Sequence, residues 1–303
     1  MDINDIKDSQ IVFLVGAPRS GTTYLQRLLA THPKIKTAQE SHLFDNHIGY
    51  QFFHWDRLST PFITGKRIGV GIPCYHTEES FTKILKEFSL KLLAPFLVEL
   101  QPDEIFLEKT PYHSLYIKDI VRIFPDSKII HLVRHPFDAC RSYLHSTKTW
   151  FKGKMNILNA GTVVGSIWKN SVNGVLNNKY LIKKDNYLEI KYEDLLNNNA
   201  VKLKEILGFI GFEEDISTVK TYIQKNSKAN QIKGEGGRIP IKGEIQKKTG
   251  CLFLNEPKGF INTNKYKVNP LTSLLIWRKV HKTGKILGYN VHYISFIIDA
   301  NRK

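Results

Sequence analysis

The run Ile11-Val-Phe-Leu-Val-Gly16-Ala-Pro18-Arg19-Ser20-Gly21-Thr22-Thr23 sets two glycines, a guanidinium and several hydroxyls in a turn. An apolar stretch precedes the turn, and a helix with Leu25, Leu28 and Leu29 on one face follows it. Such a turn leaves backbone N–H groups free at a helix N-terminus, where the macrodipole also favours an anion. Glycine there lets the backbone approach a phosphate closely. The spacing Gly16-x-x-x-x-Gly21 is that of a phosphate loop, yet Thr22 stands where a nucleoside-triphosphate loop carries Lys. Arg19 can supply the charge instead, gripping an oxyanion through two hydrogen bonds. An ordinary tight strand-to-helix turn is the bland alternative.

Three further segments carry chemistry. Arg134 ends the apolar stretch Lys128–Val133, at the edge where open α/β sheets bind ligands. Pro136 then opens a helix at the position proline favours, and Ser142 lies about two turns along it. Spacing alone leaves Arg134 open between a surface salt bridge and a ligand contact, and Arg141 reads as a solvated helix residue. Lys109 closes Phe106-Leu-Glu-Lys-Thr-Pro-Tyr112, either facing a ligand or lying in solvent, with Glu108 as an ion-pair partner or core-edge residue. Glu40 and His42, in Gln39-Glu-Ser-His-Leu-Phe44, compete as general bases. His42 is closer to neutral pH by its intrinsic pKa, whereas Glu40 needs partial burial to raise its own.

Short apolar runs alternate with longer helical segments, the pattern of a parallel sheet covered by helices. Strands are expected at Ile11–Val15, Ile105–Glu108, Lys128–Val133 and Tyr187–Ile190. Helices are expected at Gly21–Thr31, Glu78–Leu100, Ser114–Phe124, Pro136–His145, Val163–Asn177, Val201–Ile210 and Leu271–Leu287. Residues 228–267, rich in Gly, Lys and Asn, read as a long loop. The aromatics Phe52, Phe53, Trp55, Tyr75 and Trp150 fit either an acceptor pocket or the core. The expectation is a single α/β domain over residues 1–303.

At 303 residues, 42% hydrophobic and 24% charged, the composition is ordinary for a globular chain. No apolar run approaches a membrane span, and the acidic, polar start lacks a signal-peptide pattern. A cytoplasmic protein is therefore expected. Three scattered cysteines show neither metal-ligand spacing nor a disulfide framework, and no histidine pair is spaced as metal ligands, so no metal is expected. A net charge of +16, concentrated in the last third, suits an anionic ligand or simply a lysine-rich surface.

The block Pro18-Arg-Ser-Gly-Thr-Thr23, followed by Leu28-Leu-Ala-Thr-His-Pro33, resembles the 5′-phosphosulfate loop of the sulfotransferase superfamily. The tyrosylprotein and heparan branches look closest. Lys128-Ile-Ile-His-Leu-Val-Arg134-His-Pro-Phe-Asp-Ala-Cys-Arg-Ser142 is similar to the family's 3′-phosphate block, and Ile190-Lys-Tyr192-Glu193-Asp194-Leu through Gly211 to a segment common near its end. The resemblance covers residues 11–212 and implies a P-loop-like fold. It implies an enzyme that uses 3′-phosphoadenosine 5′-phosphosulfate (PAPS) as co-substrate. Pro18, Arg19, Ser20, Gly21, Thr22 and Thr23 would hold the 5′ end, and Arg134 and Ser142 the 3′-phosphate. Arg238, in a basic Gly-rich stretch, would close over the nucleotide. Lys109 would face the bridging oxygen and Glu40 would take the acceptor proton, with Arg19 completing the catalytic set. The acceptor stays open among small-molecule, sugar, lipid and peptide hydroxyls or amines, as does oligomeric state. Rival readings are a P-loop nucleotide kinase and a non-catalytic nucleotide- or polyanion-binding protein of the same fold. No recognised nucleic-acid motif appears, so nucleic acid is not an expected partner.

Overall fold

A computed structural model of the chain describes residues 3–59, 70–150, 157–226 and 268–293. Five strands form one all-parallel sheet in the order β2-β3-β1-β4-β5: β1 Ile11–Gly16, β2 Ile35–Thr37, β3 Ile105–Lys109, β4 Lys128–Val133 and β5 Tyr187–Lys191. β1, β3 and most of β4 are buried throughout, which is why they read as continuous apolar runs rather than as alternation. β2 escaped the sequence reading. Its three residues Ile-Lys-Thr are too few to show a period, and it exists through register with β3, Ile35 opposite Ile105.

Ile11, Phe13, Val15, Phe106 and Ile129 point to one face of the sheet. They pack there against α2 (Gly49–Ser59), α3 (Glu78–Leu97) and α4 (Ile117–Ile123). Val12, Leu14, Leu107, Ile130 and Leu132 point to the other, against α1 (Thr22–Leu29), α7 (Tyr192–Asn197), α8 (Asn199–Ile210) and α9 (Ile216–Lys225). A third cluster gathers α5 (Pro136–Trp150), α6 (Ile157–Leu176) and the C-terminal helix Pro270–Ile286 around Ala17 and Val133, beyond the strand ends. The helix caps are local: Thr77 Oγ1 accepts from Ser80 N at 3.1 Å, Asp215 Oδ1 from Thr218 N at 2.7 Å, and Asn269 Oδ1 from Thr272 N at 2.7 Å.

Two expectations change with this packing. Arg141 is not solvated but only 2% exposed, its guanidinium 2.7 Å from Asp138 and over the Phe137 ring. α6 and the C-terminal helix cover α5 on more than one side, so no full face of it is left in water. The expected helix Ser114–Phe124 divides into a 3-10 turn, Pro111–Leu115, and α4, since Pro111 opens the turn earlier. Phe52 and Trp55 lie in the core, Trp55 stacked on Phe81 at 4.5 Å, whereas Phe53 and Tyr75 are exposed. The Trp150 side chain, Arg238 and the 228–267 loop lie outside the described residues. Among those described, no helix is long and apolar enough to cross a membrane.

α6 approaches the Pro111–Leu115 turn so closely that a Cβ on Gly174 would stand 2.4 Å from the Ser114 carbonyl oxygen. Gly174→Ala is therefore expected to cost about 1–3 kcal/mol of stability, read by denaturant unfolding. A change under a few tenths would mean that α6 does not sit where described.

Candidate active site

The order of the strands puts β1 between β3 and β4, so the chain leaves the sheet centre in both directions. The carboxyl ends of these three strands frame the crevice where open α/β sheets bind ligands. Each contributes a cation: Arg19 after β1, Lys109 at the end of β3 and Arg134 just after β4.

The β1–α1 turn is built under constraint. Gly21 caps α1 in the left-handed region at φ 96°, with no side-chain cap. The Tyr192 ring leaves no room there for a Cβ, which would meet its carbons at 2.3 Å. Arg19 is left-handed too, at φ 71°, a conformation that costs a non-glycine residue energy and is retained where neighbours enforce it. The neighbour is Arg134, whose NH1 donates to the Arg19 carbonyl at 3.2 Å. Arg19 Nε in turn donates to Ser142 Oγ at 3.3 Å. Arg19, Arg134 and Ser142 thus share one groove. Burial and the nearby positive charge of Arg134 lower the Arg19 pKa, while Glu40 and Tyr143 oppose the shift. Leu25 N bonds to Gly21 O, so the helix amides before it have no intrahelical acceptor. The Ser20 hydroxyl, fully buried in this turn, has no hydrogen-bond partner. Pro18 and Thr23 are half-buried beside it, and Thr22 is buried.

Opposite lies the second half of the site. Lys109 is 4% exposed, so the strand-end lysine does not point into solvent. Its Nζ pairs with Glu40 and lies 3.4 Å from Thr23 Oγ1. The Glu40 side chain is 38% exposed, more open than the desolvated base the sequence reading called for. It sits at the mouth of the site, with Lys109 as its inner neighbour. His42, the rival base, lies 3.6 Å from Glu40, and its Nδ1–H donates to Asp45 Oδ2 over 2.8 Å. Hydrogen bonding to Asp45 raises the His42 pKa against the effect of burial. His42 therefore buttresses Glu40 rather than standing apart from it.

Several residues take their place here only through the folded structure. Tyr112 and Tyr143 bring their hydroxyls within 3.3 Å, close enough in charge to Glu40 and Arg19 to perturb one another. Tyr192 lies under Arg134, with the guanidinium carbon 4.7 Å from the ring centre. Glu193 receives the His135 amide at 2.8 Å and the Tyr289 hydroxyl at 3.0 Å, tying the C-terminal segment to the β4–α5 turn. Glu108, 1% exposed, accepts from Ser41 Oγ and Thr110 Oγ1, each at 2.7 Å, and faces His113 Nδ1 at 2.9 Å. A signal available in the sequence is the close spacing of Glu40, His42 and Asp45 along a short segment.

The buried pair sets a pH dependence. Burial alone would lower the His113 pKa, but the charge of Glu108 and hydrogen bonds to Asp45 and Glu108 push it up to about 9. Burial would raise the Glu108 pKa, but the charge of His113 and hydrogen bonds from His113, Ser41 and Thr110 hold it below the usual carboxylate range. The contribution of His113 to stability is complete below its ordinary 6.5 and is lost as pH rises through about 9; that of Glu108 is present above its ordinary 4.5 and is lost on acidification. Melting temperature is expected to fall on both sides of that window, with the alkaline fall reduced in His113→Gln.

Comparison with known proteins places this geometry. The profile of the sulfotransferase family matches residues 11–215. The chain is 27% identical to human protein-tyrosine sulfotransferase 1 over 42% of its own length and 32% of that protein's. With chicken protein-tyrosine sulfotransferase 2 it shares 23% over 68% of its length and 52% of the relative's. The chain thus spans about half, or less, of these relatives. Among solved structures, the sulfotransferase domain of a Synechococcus olefin synthase superposes with a TM-score of 0.52 at 20% identity, covering 94% of this chain and 97% of that one. A mouse sulfotransferase complexed with PAP gives 0.52 at 17%, covering 92% and 88%. With the family profile taking in more than half of the residues and the fold in agreement, the chain belongs to the sulfotransferase family.

Proposed function

We propose that the chain transfers a sulfuryl group from PAPS to a hydroxyl or amine acceptor. The observation that carries this reading is the meeting of Arg19, Arg134 and Ser142 on one side of an uncapped helix N-terminus, with the Lys109–Glu40 pair on the other. Two guanidiniums and the free amides suit a nucleotide with phosphate at one end and phosphosulfate at the other. The partnerless Ser20 hydroxyl adds a donor aimed within the same turn.

The residues divide the work. Glu40 takes the proton of the acceptor as its oxygen or nitrogen bonds to sulfur. Lys109 turns from Glu40 toward the bridging oxygen, neutralising the charge left on the nucleotide as the S–O bond breaks. Arg19 and the α1 amides hold the transferring group in line between them, and the proximity itself lowers the barrier. The acceptor is proposed only by class: a small molecule, sugar, lipid or peptide. The tyrosine-directed relatives favour putting peptide phenols first in a panel.

Incubation with labelled PAPS and such a panel tests the activity; label in none of the products sinks it. Glu40→Gln and Lys109→Ala are expected to lower kcat about 10²- to 10³-fold. Calorimetry separates this reading from a nucleotide kinase: 3′-phosphoadenosine 5′-phosphate binds without magnesium, and ATP with magnesium does not bind better. Arg134→Ala should weaken the bisphosphate about 10- to 100-fold, the loss of one charge-assisted contact.

A further inference from the structure

The segment bearing Glu40 and His42 is strained and spans little regular structure. It leaves β2 at Thr37, passes through His42 at φ 51°, and enters a π-helical turn at Leu43–Ile48. What holds it lies on the far side of β3. Glu108 accepts from both the amide (3.4 Å) and the hydroxyl (2.7 Å) of Ser41, the residue after Glu40. Thr110 Oγ1 accepts from the His42 amide at 3.3 Å. His113, fully buried between the Phe13 and Phe44 rings, completes the set. One ring nitrogen meets Glu108 Oε2 at 2.9 Å; the other lies 3.1 Å from the Phe44 amide and 3.5 Å from Asp45 Oδ1. Neutral, that second nitrogen accepts the Phe44 N–H; protonated, it donates to Asp45 Oδ1, a buried oxygen with no other partner among the described residues. The other oxygen of Asp45 holds His42, which lies against Glu40.

We propose that His113 is a positioning residue for sulfuryl transfer: with Glu108 it anchors the segment Ser41–Asp45 to the end of β3, and so sets where Glu40 stands relative to Lys109. The inference rests on the activity proposed above. Adjacent residues of β3 divide the task, Lys109 meeting Glu40 directly and Glu108 meeting Ser41 through the buried pair. His113 touches no reacting atom and acts through the backbone it holds. Small displacements of a catalytic group cost rate steeply, about a hundredfold for an ångström. Donor binding, which depends on the Arg19–Arg134 groove, is untouched by the clamp.

Full-length wild type, His113→Leu and His113→Gln, each checked for fold by circular dichroism and melting, supply the test. His113→Leu is expected to lower kcat about 10- to 100-fold while the bisphosphate Kd stays within threefold. His113→Gln, whose amide can still accept the Phe44 N–H or donate to Asp45, is expected to recover part of the loss. Hydrogen exchange, which needs no acceptor, should speed up across residues 41–48 in His113→Leu and not in the β1–α1 turn. Unchanged exchange in 41–48, a kcat within twofold of wild type, or an equal loss of bisphosphate binding overturns the proposal. Absence of transfer by the wild type would instead sink the activity on which it rests.

Discussion

Like charges held side by side are the constraint around which the site is built. Arg19 and Arg134 are close enough for the charge of one to lower the pKa of the other, and an uncapped helix end adds the positive pole of its dipole. Glu40, the carboxylate nearest this group, is already engaged by Lys109. The protein holds this arrangement by covalent and packing means. The Arg19 backbone is bent into the left-handed region, its carbonyl is pinned by Arg134, and Tyr192 fills the space beneath Gly21 and Arg134 alike. The fold itself thus contains this repulsion, so the positive cluster is preorganised.

The end of β3 solves a different problem, presenting one charged side chain to each face of the sheet. Neighbouring strand residues point to opposite faces. Lys109 therefore reaches the α1 side, where it meets Thr23 and Glu40, while Glu108 turns into the α2–α3–α4 side. The segment carrying Glu40 crosses over the strand end from one side to the other. Its start is held by Gln26 of α1, which donates to Thr37 Oγ1 at 2.8 Å and to the Ala38 carbonyl at 2.7 Å. Its end is held by the buried acid–imidazole pair. A buried ion pair adds little net stability, since desolvation offsets most of the attraction. It does fix geometry, and removing one partner leaves an uncompensated charge. Placing such a pair one residue from Lys109 ties the fold's integrity to the geometry of the Lys109–Glu40 pair.

Local chemistry was legible in the chain; long-range meetings were not. The turn after β1 announced an anion site because its glycines, its Arg19 and its missing lysine are contiguous, and the buried strands announced themselves as unbroken apolar runs. β2 went unseen because three residues carry no period. Arg141 was read as solvated because sequence shows that a residue lies on a helix, not how many neighbours cover that helix. Glu108 reads from sequence as an ion-pair partner or core-edge residue, but its partner His113 stays hidden there, since His113 meets it only through a 3-10 turn that folds it back.

The class of fold is readable along the chain because it follows from short-range patterns, hydrophobic runs of strand length with helices between them, and the expectation of an anionic ligand comes from a single contiguous loop. Which charges meet depends on how distant segments fold together. Lys109 and Glu40 are 69 residues apart, and Arg134 and the Arg19 carbonyl 115 apart. They come together because the strands order themselves with β1 between β3 and β4, so that three chain segments deliver their ends to one crevice. That order comes from packing both faces of a parallel sheet at once, a global balance of burial and chain connectivity that no single segment encodes.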